Sequence, residues 1–176
     1  MIRLHLQDAS ATDALARVLA RTQPNSTSSQ QVIVYLQGDL GAGKSTLARA
    51  WLRALGVTGA IRSPTYTLVE HYALSDGSKA LHLDLYRIGD AGELEFLALD
   101  DTGAGLWLVE WPERGARSLP VADLRIALAV EGEGREVTIE AASEGPRDWL
   151  ARLSETIACE PLLNPQGRKC LQPTDM

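Results

Sequence analysis

The chain has 176 residues and a formal net charge of −6 at pH 7, and its hydrophobic and charged fractions of 45% and 23% are ordinary for a soluble globular protein. No apolar run approaches the ~20 residues that span a bilayer, and the start Met1-Ile2-Arg3-Leu4-His5-Leu6 lacks the basic and long apolar regions of a signal peptide, so a cytoplasmic protein with no membrane partner is expected. Phosphate neutralisation supplies much of the affinity of nucleic-acid-binding proteins, so an acidic chain argues against strong direct binding to RNA or DNA. Cys159 and Cys170 both lie near the C-terminus and are expected to be free thiols in a reducing compartment.

The first segment, 2–6, reads as a strand and Asp8 to Arg21 as an amphipathic helix, with Leu15, Val18 and Leu19 at helical spacing and Ser10 and Asp13 set out like a capping box. The polar stretch 23–29 is a loop. Val32-Ile33-Val34-Tyr35-Leu36 is a short apolar run rich in β-branched residues, as in a strand buried on both faces of a parallel sheet. A glycine-rich run follows, then a helix from Ser45 to Leu55 closed by Gly56 at the C′ position. Further strands are expected at 67–73, 80–85, 106–110, 123–130 and 136–141, and helices at Ala91 to Leu99 and Arg147 to Ala158. The pattern predicts a single α/β domain over 1–158, with a mostly parallel sheet, antiparallel additions and flanking helices, followed by a polar, poorly ordered tail over 159–176.

The run Gly38-Asp39-Leu40-Gly41-Ala42-Gly43-Lys44-Ser45 matches the P-loop pattern G-x-x-x-x-G-K-[ST] in full. At background residue frequencies that match arises by chance in under about one per cent of chains this long. Glycines let consecutive N–H groups curl inward onto phosphate oxygens, and the helix that follows presents its positive end to the same anion. ATP or ADP is therefore expected on Leu40, Gly41, Ala42, Gly43, Lys44, Ser45 and Thr46. Lys44 would reach the β- and γ-phosphates, and the Ser45 hydroxyl would ligate Mg²⁺.

Hydrolysis also needs a second anchor for the metal and a group that orients the attacking water. Asp84 ends the apolar run of Leu81-His82-Leu83-Asp84, and Glu110 ends Leu106-Trp107-Leu108-Val109-Glu110. In a parallel sheet such strand ends converge on the ligand crevice. Both are taken as catalytic candidates, the alternative for Asp84 being a solvated strand-end charge or a partner for Arg87. Thr65, in Ser63-Pro64-Thr65-Tyr66, is placed to sense a γ-phosphate or to shape a Ser-Pro turn. The three histidines have no zinc-ligand spacing, and His82 reads as a packed residue on the same sheet face as Asp84.

Gly38–Thr46, Ser-Pro-Thr-Tyr-Thr-Leu-Val-Glu (63–70), His-Leu-Asp-Leu-Tyr-Arg (82–87), Glu-Leu-Glu-Phe-Leu (93–97) and Val-Glu-Trp-Pro-Glu (109–113) occur in this order. Together they resemble the TsaE family, formerly YjeE, of small bacterial ATPases needed to make threonylcarbamoyladenosine (t6A) on tRNA. The resemblance covers about residues 1–155. It implies a compact P-loop NTPase fold, binding of ATP or ADP with Mg²⁺, slow hydrolysis in isolation, and action on a TsaD–TsaB complex that itself modifies the tRNA. It makes Lys44 the phosphate lysine, Ser45 and Glu110 the Mg²⁺ ligands, Asp84 an acid for hydrolysis and Trp111 a neighbour of the metal. It also brings Thr12, Gly134 and Arg135 near the nucleotide. Ser45 stands where many relatives carry Thr, with the same hydroxyl.

Two other functions share these features. A small-molecule P-loop kinase would need arginines to clamp the transferred phosphate. None lies between Gly89 and Trp111, leaving Arg114 and Arg117 nearby. A nucleotide-gated, non-catalytic binding module would need the P-loop alone.

Overall fold

The structure is a computed structural model, which describes residues 1–25, 30–89, 94, 99–115, 118–142 and 147–164. Its strands are β1 (Ile2–Leu6), β2 (Val32–Gln37), β3 (Val69–Ala73), β4 (Lys79–Asp84), β5 (Leu106–Glu110), β6 (Leu124–Glu131) and β7 (Gly134–Ala141). Its α-helices, among the described residues, are α1 (Ala9–Thr22), α2 (Lys44–Ala54) and α3 (Arg147–Ala158). The strands form one sheet of seven in the order β1-β7-β6-β2-β5-β4-β3. β4, β5, β2 and β6 run parallel, β3 and β7 run antiparallel to them at either side, and β1 pairs antiparallel with β7, in keeping with the expected mixture of strand directions.

The parallel core explains its own composition. In β5 every residue is buried, with Leu106 and Leu108 in the core beneath the helices and Trp107 and Val109 in a second core on the opposite face. β4 alternates in the same sense, since Ala80 joins the helix-side core and Leu81 and Leu83 the other. Even-numbered residues of β4 and β5 therefore face the helices, and this parity carries His82, Asp84 and Glu110 to the side where α2 begins.

α1 opens one residue later than expected and is capped differently. Asp8, not Ser10, is the N-cap, its carboxylate accepting a 2.9 Å bond from the Ala11 N–H. Asp8 is extended and sits three residues before that donor, whereas Ser10 already lies inside the first turn. α3 closes over α1 and α2 through Trp149, whose ring meets the Trp51 ring edge-on at 6.3 Å and whose N–H donates to Thr22 Oγ1 at 3.2 Å. Gly56 follows α2 with φ +88°, and a Cβ there would meet Ser75 at 2.6 Å.

Beyond α3 the chain turns at 159–164, Asn164 N–H donating to Glu160 O, and Leu163 is buried in the helix-side core. Cys159 is disulfide-bonded, which corrects the expectation of a free thiol. That expectation rested on the redox compartment alone, which says nothing of how the turn closing α3 sets Cys159, an exposed residue at the end of that helix. Cys170, Arg117, most of the helix expected at 91–99 and the chain from 165 onward lie outside the described residues. No described helix is long and apolar enough to cross a membrane.

Candidate nucleotide site

β2 delivers the chain into the loop 38–43 at the end of the sheet where β4 and β5 also end. The parallel registers set Leu36 opposite Glu110, and Glu110 opposite Asp84. The loop needs its glycines. Gly38 has φ +135°, and a Cβ on it would fall 2.1 Å from the Leu128 carbonyl oxygen. Gly43, at φ +106°, is the N-cap of α2 and offers no side-chain cap, so the orphan N–H groups of the first turn face a ligand space instead.

Those groups open onto a cavity of about 230 Å³ lined by Leu40, Gly41, Gly43, Lys44, Ser45, Thr46, Arg49, Thr65, Asp84, Tyr86, Glu110 and Trp111. Of the residues expected at the nucleotide, Ala42 alone is not in the lining. It is buried beneath the loop, and its carbonyl accepts a 3.1 Å bond from Arg135 Nε, which ties the P-loop to β7. A second cavity of about 180 Å³ shares Gly43 and Thr46 and is walled by Thr12, Gly134 and Arg135, the three residues the resemblance brought near the nucleotide.

Lys44 is 4% exposed, and its ammonium donates to Gly38 O at 2.6 Å and Asp39 O at 2.8 Å while lying 4.0 Å over the Trp111 ring. Burial pushes its pKa down, and Glu110 followed by Asp84, Glu113 and Asp39 pulls it back up. Trp111 reaches the lysine because its backbone is left-handed at φ 56°, an uncommon state for an aromatic residue that swings the ring back under the loop. Tyr86 packs against Trp111 with the two rings tilted at 52° and their centroids 5.0 Å apart.

Two hydroxyl–carboxylate pairs complete the site. Ser45 Oγ donates to Glu110 Oε2 at 2.8 Å, and Thr65 Oγ1 donates to Asp84 Oδ2 at 2.7 Å. The other oxygen of Asp84 accepts from the Tyr86 N–H at 3.0 Å. The turn bearing Thr65 is tied to the same strand, because Leu68, left-handed at φ 64°, accepts from the Asp84 N–H. His82 is packed, as expected, but it also has a job that the sequence did not reveal. Its Nε2 lies 2.7 Å from Glu110 Oε1 with both side chains almost fully buried, and among the described residues its Nδ1 has no partner. A histidine two residues before Asp84 was visible; the β4–β5 register that sets it diagonally across from Glu110 was not.

Ser45 and Glu110 offer hard oxygen donors beside the phosphate loop, and a small divalent cation that takes its remaining ligands from phosphate and water fits that pair. The mixed α/β sheet and its strand–loop–helix define a single-domain protein of the P-loop NTPase fold. The family model described as "Threonylcarbamoyl adenosine biosynthesis protein TsaE" matches residues 6–137, and the chain belongs to that family. It is 41% identical over 125 residues to the TsaE protein of Haemophilus influenzae, covering 70% of this chain and 78% of that one. It is 40% identical over 113 residues to the TsaE protein of Bacillus subtilis, covering 62% and 69%. The crystal structure of B. subtilis YdiB superposes with a TM-score of 0.69 at 26% identity, covering 88% of this chain and 95% of that one.

Proposed function

We propose that this protein is an ATPase that binds ATP with Mg²⁺ on the P-loop, acts in t6A modification of tRNA, and works on a TsaD–TsaB complex rather than on tRNA directly. The observation that carries this reading is the convergence on one cavity of Lys44, the Ser45–Glu110 pair and the Thr65–Asp84 pair. A simple phosphate-binding loop has no need of two oriented, buried carboxylates.

In this mechanism Lys44 exchanges its two carbonyl partners for phosphate oxygens, its ammonium being already held in the loop by those carbonyls and the Trp111 face. Ser45 and Glu110 would hold Mg²⁺, which supplies charge neutralisation at the β- and γ-phosphates. His82 and Ser45 fix the two oxygens of Glu110, so that carboxylate is oriented before any ligand arrives. Thr65 and the Tyr86 N–H do the same for Asp84, whose remaining lone pairs can accept a proton from, or orient, a water at the γ-phosphate end. Trp111 and Tyr86 wall that end against bulk water.

The test is ATP turnover and ATP affinity measured on Asp84→Asn and Glu110→Gln, alone and with TsaD–TsaB. Asp84→Asn should keep ATP affinity within a few-fold and lose about 10²-fold or more in turnover. Glu110→Gln should weaken the Mg²⁺ dependence of binding. Wild-type turnover that is unaffected by both substitutions would sink the reading.

A further inference from the structure

A second feature borders the nucleotide cavity. The outward stripes of α1 and α2 enclose a trough of about 520 Å³ along their seam, walled by Arg17, Arg49 and Arg53. Its floor is small and apolar, formed by Ala50, Ala54 and Ile61. Past Ala54 it runs into a further hollow of about 320 Å³, where Arg21 joins the wall. The spacing is helical on both sides, since Arg17 and Arg21 are four residues apart on α1 and Arg49 and Arg53 four apart on α2.

Four guanidinium groups thus line one seam of a chain whose net charge is −6, joined among the described lining residues by two carboxylates, Asp13 in the trough and Asp76 in the further hollow. Little among the described residues answers them. Arg17 makes no hydrogen bond or ion pair with any described residue. Arg21 has one long contact to Glu160 at 3.8 Å, and Arg49 and Arg53 donate to backbone carbonyls alone. Like charges four residues apart on one helix repel each other, which an external set of carboxylates would relieve.

We propose that this trough is the docking groove for an acidic, amphipathic helical segment of the protein partner, its small apolar face on Ala50 and Ala54 and its carboxylates on Arg17 and Arg21. This deepens, and rests on, the partner reading above. The apolar floor favours a peptide over RNA: a helix laid in a groove buries an apolar stripe, while a sugar–phosphate backbone has none to offer. The overall acidity of the chain repels a polyanion at long range but costs a short segment with a few carboxylates little. From Thr46 to Leu55 the α2 wall is about 14 Å long, enough for two to three turns of helix. Thr46 and Arg49 line both the trough and the nucleotide cavity, so a docked segment would lie against the phosphate site.

The experiment compares the full chain with Arg17→Glu/Arg21→Glu, two exposed positions outside the nucleotide cavity. It uses two protein probes, the purified TsaD–TsaB complex and an acetylated, amidated 14-residue peptide with Ala and Leu on one face and Glu on the other, with free tRNA as a third arm. ATP affinity checks that the variant is folded. Capture of both probes should fall at least tenfold in the variant at 0.1 M salt, with the gap narrowing at 0.5 M salt. Equal capture of the complex by both proteins overturns the groove and leaves the partner reading standing. No capture of the complex by the wild type overturns the partner reading, and the groove then stands or falls on the peptide: binding lost in the variant upholds it, no binding overturns it. A variant that loses affinity only for free tRNA overturns the peptide occupant in favour of RNA.

Discussion

The buried pair of His82 and Glu110 permits a double-mutant cycle whose result the geometry dictates. Their side chains are 0% and 2% exposed and 2.7 Å apart, so each is the other's substitute for water. His82→Leu leaves the Glu110 carboxylate desolvated with the Ser45 hydroxyl as its remaining partner, a loss of about 3–5 kcal/mol for breaking a buried pair on one side. Glu110→Leu strands the His82 ring nitrogen and the Ser45 hydroxyl and should cost about 1–3 kcal/mol. The double variant places two apolar side chains face to face in a site walled by strands, and should lie close to wild type. The coupling is then several kcal/mol, well outside the few tenths seen for independent sites. Urea unfolding of the nucleotide-free protein followed by tryptophan fluorescence measures all four corners. Melting gives a second reading, since a chain of this size loses about 2–4 °C per kcal/mol and His82→Leu alone should melt roughly 6–20 °C lower. Additive single effects, or a His82→Leu variant within about 0.5 kcal/mol of wild type, would refute the idea that His82 secures Glu110.

Three further outcomes follow from the same geometry. Lys44→Ala should weaken ATP binding by about 10–100-fold by calorimetry, the worth of a charge-assisted contact, without changing the far-UV circular dichroism. Trp149→Ala should lower stability by about 3–5 kcal/mol in urea, because it removes the ring that seats α3 on Trp51 and Thr22. Burial pushes the Asp123 carboxyl above its ordinary pKa against the opposing hydrogen bond from the Ile33 N–H, so the folded state holds that proton more tightly than the unfolded chain does. Its contribution to stability therefore falls as pH rises from the ordinary value through the raised one. Asp123→Asn, which keeps an acceptor for Ile33, should melt higher than wild type at pH 7 to 8, with the advantage vanishing below about pH 4.

What could be read from the sequence depended on how far apart along the chain the cooperating residues lie. The P-loop is contiguous, and its glycines, lysine and serine are set by local backbone demands, so Gly38 to Ser45 announced themselves as a unit. The strands β2, β4 and β5 were legible for the same reason, because burial on both faces forces continuous apolar runs. The bounds of α3 were legible from its apolar spacing. The cap of α1 was misassigned because Ser10 and Asp8 are both cap-forming residue types, and only the backbone conformation at Asp8 selects between them. The half of the candidate site that brings in the carboxylates is different in kind. Ser45 and Glu110 are 65 positions apart and His82 and Glu110 are 28 apart. What joins them is the register of β4 against β5 and of β5 against β2, which no local pattern encodes. A slip of one residue in β5 would turn Glu110 to the opposite face and leave the phosphate loop untouched. The two halves are therefore separable in principle: local backbone demands shape the loop, and the sheet register adds the carboxylates on which the proposed hydrolysis rests. Variants that loosen β4 from β5 should accordingly lose turnover before they lose nucleotide.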